Sequence, residues 1–317
     1  MMYFFLILGL VTLIVGGEFL VRGAVGIAKK FQISTLVIGM TVISFGTSAP
    51  ELFVSIGAAL DGNAEIAIGN VIGSNVANLA LVLGMTVLIL PIIVDRNSKV
   101  IDWPMMMLAT ILFALFAMDG HISRYEGGIL FAILVAFTFF LIRNSRRRNK
   151  QLAVEVAEDD DEISKVKDPI WKALGFTLIG LVALYFGSEW LVNGAVDIAE
   201  SLGMEKRVIA VTVVAFGTSV PELVTSLVAA FKKETDISIG NLIGSNIFNI
   251  MAVVGITSII QPMPVEDKAI HFDMWWVVII AAALLPMMLI GKRIGRFKGA
   301  LLVGSYIAYM IILVMNP

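Results

Sequence analysis

The chain has 317 residues, 58% hydrophobic and 15% charged, with a formal net charge of −2. A soluble domain of this size carries more charge and less apolar surface, so the composition excludes one and predicts a helical membrane protein. With no cysteine, disulfides and thiol catalysis are excluded; two histidines outside any HExxH pattern argue against a zinc enzyme, and nothing points to nucleic acid as a partner.

Apolar runs long enough to span a bilayer, about 20 residues each, recur along the chain. The first, Tyr3 to Ala28, lacks basic residues ahead of it and a small-residue cleavage site, and is expected to be a retained helix. The second, Thr35–Leu60, is broken by Gly46-Thr47-Ser48-Ala49-Pro50-Glu51. The third, Ile66–Leu90, carries Gly69-Asn70-Val71-Ile72-Gly73-Ser74-Asn75 and is expected to be broken there. Trp103–Met118 and Tyr125–Ile142 complete five spans. Residues 143–168 are polar, opening with Arg143, Arg146, Arg147, Arg148 and Lys150 and continuing with the acidic run Glu158–Glu162. They are too charged to pack a core and read as a linker, disordered at the acidic run. Five more spans follow: Pro169–Ala199, Arg207–Phe231, Ile237–Ile260, Phe272–Ile290 and Phe297–Met315.

The halves repeat at an offset of 171 positions. Thr41–Leu60 and Thr212–Phe231 agree at 12 of 20 positions, and Ile66–Met85 and Ile237–Ile256 at 11 of 20. The register extends to Gly16/Gly187, Glu18/Glu189 and Pro91/Pro262. Five spans is an odd number, so the copies insert in opposite orientations. The expected fold is all-α and polytopic: ten transmembrane helices as two inverted-topology repeats of five, with helices 2, 3, 7 and 8 broken at the core. The domains are 1–142, the linker 143–168 and 169–317. With the linker in the cytoplasm, loops on that side hold 18 Lys and Arg against 4 on the other, Arg22 lying near the cytoplasmic end of the first helix. This bias orients the chain, with both termini outside.

A carboxylate in mid-span is expensive and marks a functional site. Glu51 and Glu222 are such a pair. Proline in a helix removes a hydrogen bond, so carbonyls around Ser44–Ser48 are expected to be free for a cation. Thr47, Ser48, Ser74 and Asn78 add oxygens from the first copy. Thr218, Ser219, Ser245 and Asn249 add them from the second. Hard cations take such ligands. Two formal charges match one divalent ion or two monovalent ions, which makes replacement of one by the other possible. Other roles fit the same residues. Ser48-x-x-Glu51 and Ser219-x-x-Glu222 match a helix-capping pattern. Gly69-x-x-x-Gly73 and Gly240-x-x-x-Gly244 match a close-packing motif. Asn70, Asn75, Asn241 and Asn246 suit interhelical bonds as well as ligation, and Glu18 suits an ion pair with Arg22 as well as a role in ion entry.

The doubled motifs, Gly46-Thr47-Ser48-Ala49-Pro50-Glu51 with Gly69-Asn70 through Asn78 and their second copies through Asn249, resemble the two alpha repeats of the calcium/cation antiporter superfamily, specifically its sodium/calcium exchanger branch. The resemblance spans essentially the whole chain and suggests a minimal prokaryotic form in the cell membrane. It implies electrogenic exchange of sodium for calcium by alternating access, with calcium exported and no cofactor. Glu51 and Glu222 become central calcium ligands aided by Thr47 and Thr218. Ser48, Ser74, Ser219 and Ser245 line sodium sites, and Asn78 and Asn249 complete the centre. The first and sixth helices form a sliding bundle. Asn249 stands where potassium-dependent exchangers carry Asp, which weighs against potassium co-transport. The alternatives are proton coupling or another divalent cargo such as manganese or magnesium, then an acid-dyad enzyme or a passive channel. Both half-sites lie in one chain, so a monomer suffices.

Overall fold

The structure, a computed structural model, describes residues 2–156, 169–201, 203, 215–291 and 293–315. The acidic run Glu158–Glu162 and the expected start of the seventh span at Arg207 lie outside them.

The described chain is almost entirely helical. In order it forms α1 (Met2–Phe31), α2 (Thr35–Thr47), α3 (Ala49–Leu60), α4 (Ala64–Ile89), α5 (Ser98–Ala117) and α6 (Arg124–Val156), then α7 (Ile170–Ser201), α8 (Ala215–Thr218), α9 (Val220–Phe231), α10 (Thr235–Ile260), α11 (Ala269–Leu289) and α12 (Arg296–Met315). Among the described residues eight helices are long and apolar enough to cross a membrane, or nine counting the bent pair α2–α3 as one span. The shorter apolar α9 sits where the seventh expected span ends. The chain is a multi-pass membrane protein.

The repeat is visible in the elements themselves. α4 and α10 have the same length and lie 171 positions apart, and a π-helical turn opens α5 at Ser98–Asp102 and α11 at Ala269–Asp273. Equivalent first helices pack tightly and antiparallel. Gly9 on α1 faces Gly187 and Leu191 on α7, Gly16 faces Gly180 and Leu184, and Gly23 faces Ala173 and Thr177. A Cβ at any of these glycines would collide with the partner backbone, so the small residues set the spacing. Antiparallel packing of equivalent helices is what inverted copies require. By the same logic α2 and α10 run parallel: Gly240 sits on Leu36 and Met40, and Gly244 on Met40 and Ser44. A two-stranded ribbon, β1 (His121–Ile122) with β2 (Met263–Pro264), ties the copies together at one end.

Two expectations are corrected. Helices 3 and 8 are not broken at their glycines. Residues 69–75 and 240–246 are continuous α-helix within α4 and α10. Glycine costs a helix only about 1 kcal/mol and keeps its N–H, so without proline the ladder continues. The irregularity comes one turn later, as π-helical turns at Ala77–Val82 and Asn249–Val254. The fifth span does not end at Ile142 either. α6 continues through the basic residues to Val156. Arg and Lys are good helix formers, and the extension has partners: Ser145 Oγ accepts from the Ser34 backbone N–H at 2.7 Å, and Asn149 donates to the Gln32 carbonyl at 3.0 Å. Gln32 needs that support, since it turns the chain between α1 and α2 at φ 54°.

Candidate cation-binding site

The second span breaks at Ser48. α2 and α3 meet there at 42°, and Ser48 leaves helical geometry at φ −89°, ψ 3°. The second copy reproduces the break at Ser219, φ −90°, ψ 1°. Pro50 and Pro221 stand in the first turn of α3 and α9, where a missing N–H is tolerated. The freed carbonyls are fewer than expected. Ser44 accepts from the Ser48 N–H at 2.9 Å, and Ser48 from that of Leu52 at 3.2 Å. The acceptor that Pro50 cannot serve is the Gly46 carbonyl.

Glu51 and Glu222, in the first turn after each break, are completely buried. The capping pattern is not realised, since neither Ser48 nor Ser219 makes a side-chain cap bond. Both Glu51 carboxylate oxygens and Glu222 Oε2 have no hydrogen-bond partner among the described residues. Neither do Asn78 Oδ1 and Nδ2, Asn249 Oδ1, Ser219 Oγ and Ser245 Oγ. Each orphaned polar group of this kind costs about 1–3 kcal/mol, more when charged.

The halves meet at this point. Ser48 Oγ donates across the repeat to Glu222 Oε1 at 3.4 Å, Asn249 Nδ2 to Ser74 Oγ at 2.9 Å, and Thr47 Oγ1 to Asn241 Oδ1 at 3.3 Å. Ser74 Oγ also donates to the Val71 carbonyl of its own helix. Asn78 and Asn249 sit at the π turns of α4 and α10, a distortion often found at functional sites. Thr218 ends α8 beside Ser219. Thus the structure gathers Glu51, Glu222, Thr47, Ser48, Ser74, Ser219 and Asn249 through direct bonds or adjacent break positions. Asn78 and Ser245 are buried on the same helices, with unpaired atoms.

Three supporting side chains, Ser55, Ser226 and Ser44, were not singled out from sequence, whereas Asn70 and Asn241 were. Asn70 Nδ2 donates to the Glu51 carbonyl at 3.2 Å and to Ser55 Oγ at 3.0 Å. Asn241 does the same for the Glu222 carbonyl at 3.4 Å and Ser226 Oγ at 3.1 Å. These pairs brace the turn that carries each carboxylate. The signal for Ser55 and Ser226 was there: both stand four positions beyond the glutamate, on the same helix face, in both copies. Ser44 has none, because its counterpart is Ala215. It reaches the Gly39 carbonyl at 2.7 Å and the Asn241 carbonyl at 3.0 Å, joining α2 to α10.

The donor set is that of a hard-cation site. It has two carboxylates and many neutral oxygens, and among the described residues no cluster of three or more Asp, Glu, His or Cys. Comparison with known proteins fits this chemistry. Residues 1–143 and 172–315 match the family described as sodium/calcium exchanger protein. The chain belongs to the sodium/calcium exchanger family. Its activity class is therefore cation exchange across a membrane, and the family is one of transporters. CaxA of Alkalimonas amylolytica is 37% identical over 318 residues, covering 98% of this chain and 97% of the relative. The sodium/calcium exchanger MaX1 of Methanosarcina acetivorans is 31% identical over 343 residues, covering 98% of each. A solved structure of the sodium-calcium exchanger NCX_Mj, soaked with 10 mM Na+ and 10 mM Sr2+, matches with a TM-score of 0.83 at 34% identity, over 98% of this chain and 97% of that one.

Proposed function

We propose that the protein is a secondary active antiporter that exchanges sodium for calcium by alternating access and exports calcium from the cytoplasm. One observation carries this reading. Among the described residues, two fully buried carboxylates, Glu51 and Glu222, carry unpaired oxygens at matching helix breaks, and Asn78, Asn249, Ser219 and Ser245 carry unpaired atoms too. Glu51 and Glu222 are the central divalent ligands, with Thr47 and Thr218 beside them. Ser48, Ser74, Ser219 and Ser245 bind sodium at the flanks, and Asn78 and Asn249 close the centre. An irregular cage of this size suits calcium better than magnesium, which demands a near-octahedral shell. The cage is expensive without cations, so departure of one kind is coupled to arrival of the other.

In this reading residues 1–142 and 169–317 are the two five-span repeats, joined by 143–168 in the cytoplasm of the cell, with both termini outside. The α1–α7 pair slides in front of the core. Its fit against the breaks supports that role: Leu181 covers Gly46 and Val192 covers Gly217.

The test is calcium uptake into sodium-loaded proteoliposomes under an outward sodium gradient. Uptake that follows the sodium gradient, persists without a proton gradient and is lost in Glu51→Gln is the expected result. Uptake that follows a proton gradient would replace the coupling ion. Failure of both gradients to move calcium would overturn the substrate, and manganese and magnesium would be tried next.

A further inference from the structure

Apart from the cation site, a cleft of about 900 Å³ opens where α1, α7 and the α9–α10 turn meet. Its polar lining is Arg22, Lys29, Lys30, Lys172, Lys232 and Glu234, five bases against one acid. Its remaining walls are apolar, including Val21, Val25, Ile170 and Phe176. Glu18 lies behind the cleft and pairs with both Arg22 and Lys232, at 2.6 Å each. Those two bases are partly neutralised and fixed in place. Lys29 and Lys30, exposed at the last turn of α1, point to an additional negative partner.

The depth of the cleft narrows the partner. It lies where α1 ends and α7 begins, at one end of two membrane-spanning helices. Trp171, the second residue of α7, is 77% exposed there, as an aromatic at the headgroup level would be. A soluble anion has no use for the apolar half of the walls. A phospholipid has a phosphodiester for the bases and acyl carbons for Val21, Val25 and Phe176. We propose that this cleft binds the headgroup of an anionic phospholipid. Basic pockets between spans on the positive side of a membrane protein suit this ligand. The cleft is shared between the α1–α7 pair and the α9–α10 turn of the site-bearing core, so a bound lipid ties one to the other and changes how readily they move apart.

The experiment is native mass spectrometry of the full chain in detergent, titrated with phosphatidylglycerol or phosphatidylcholine. The wild type is expected to retain phosphatidylglycerol at least about tenfold better. Lys29→Gln/Lys30→Gln should cut that retention about thirtyfold, the scale for two bases facing an anionic lipid. Arg96→Gln/Arg293→Gln, which removes two bases outside the cleft, should leave it unchanged. Inorganic phosphate in excess should not displace the lipid. Equal retention of the two lipids would overturn the proposal, as would full retention by the Lys29/Lys30 variant. Displacement by inorganic phosphate would make this a soluble-anion site and overturn it too. Binding in detergent requires no transport, so it stands or falls apart from the exchange reading.

Discussion

Gly240 and Gly244 on α10 and their counterparts Gly69 and Gly73 on α4 occupy the same positions of the repeat, yet their surroundings differ. Gly240 and Gly244 are buried against the backbone of Leu36 and Met40, and beside them Asn241 is fully buried. Gly69 is exposed, and Gly73 and Asn70 are only partly covered. Among the described residues, one sequence pattern thus supports a sealed helix face in one copy and an open one in the other. Inverted copies place these two faces on opposite sides of the bilayer. The difference teaches where to look for alternation: the open face is a candidate for the packing that the sealed face already has.

The comparison needs a pivot common to both faces, and the buried carboxylates supply it. Glu51→Gln and Glu222→Gln should each abolish sodium-driven calcium flux, a loss on the order of 100-fold or more, as expected when one charged member of a buried ionic cluster is removed. Isotope flux in proteoliposomes measures this. If one of the two variants kept near-wild-type exchange, the copies would not share a centre.

The glycines themselves give the next effect. In Gly244→Ala the new Cβ meets Ser44 Oγ and the Met40 backbone, and overpacking of this kind costs about 1–3 kcal/mol. Thermal unfolding in detergent should fall accordingly. Gly73→Ala meets nothing among the described residues within 4 Å and removes a helical glycine, so its stability should hold or rise by up to about 1 kcal/mol. Its exchange rate should nevertheless drop, because the sealed arrangement would become crowded on that side. Equal destabilisation by the two variants would erase the contrast.

The asparagines sharpen it further. Asn241→Ala strands Thr47, Ser226 and the Glu222 carbonyl in a buried place, at about 1–3 kcal/mol. Asn70 braces the equivalent turn but is partly open, so water can replace some of its bonds. Asn70→Ala should cost less, about 1 kcal/mol. Thermal unfolding of the two variants side by side would show the order.

Much of this was legible in the sequence because it rests on strong signals. Pro50 and Pro221 announce the breaks, Glu51 and Glu222 announce the site, and the offset of 171 announces the repeat. The third and eighth helices were misjudged because Gly69 and Gly73 permit a distortion without compelling one. The π turns at Asn78 and Asn249 have no proline or glycine of their own to mark them, and arise from packing between helices. Ser44 was illegible for a similar reason: its partners at Gly39 and Asn241 are joined only in the folded bundle. The extension of α6 was hidden by charge, since Arg146 to Lys150 read as solvent-bound when Ser145 and Asn149 were already committed to the α1–α2 turn.

The smallest expected effect lies at Glu18 and Glu189, another pair of counterparts that the fold treats differently. Glu18 holds Arg22 on its own helix and Lys232 at the end of α9, so it links the α1–α7 pair to the core. Glu189 is exposed on α7, and the residues standing where Arg22 and Lys232 stand in the repeat are Asn193 and Asp61, neither of them basic. Partly exposed ion pairs contribute about 0–1 kcal/mol and are screened by salt. Glu18→Gln should therefore leave unfolding nearly unchanged while altering exchange rate by a few-fold, with the difference shrinking as ionic strength rises. Glu189→Gln should alter neither. A salt-independent effect of Glu18→Gln would move this residue from linking the two bodies to handling the ion on its way in.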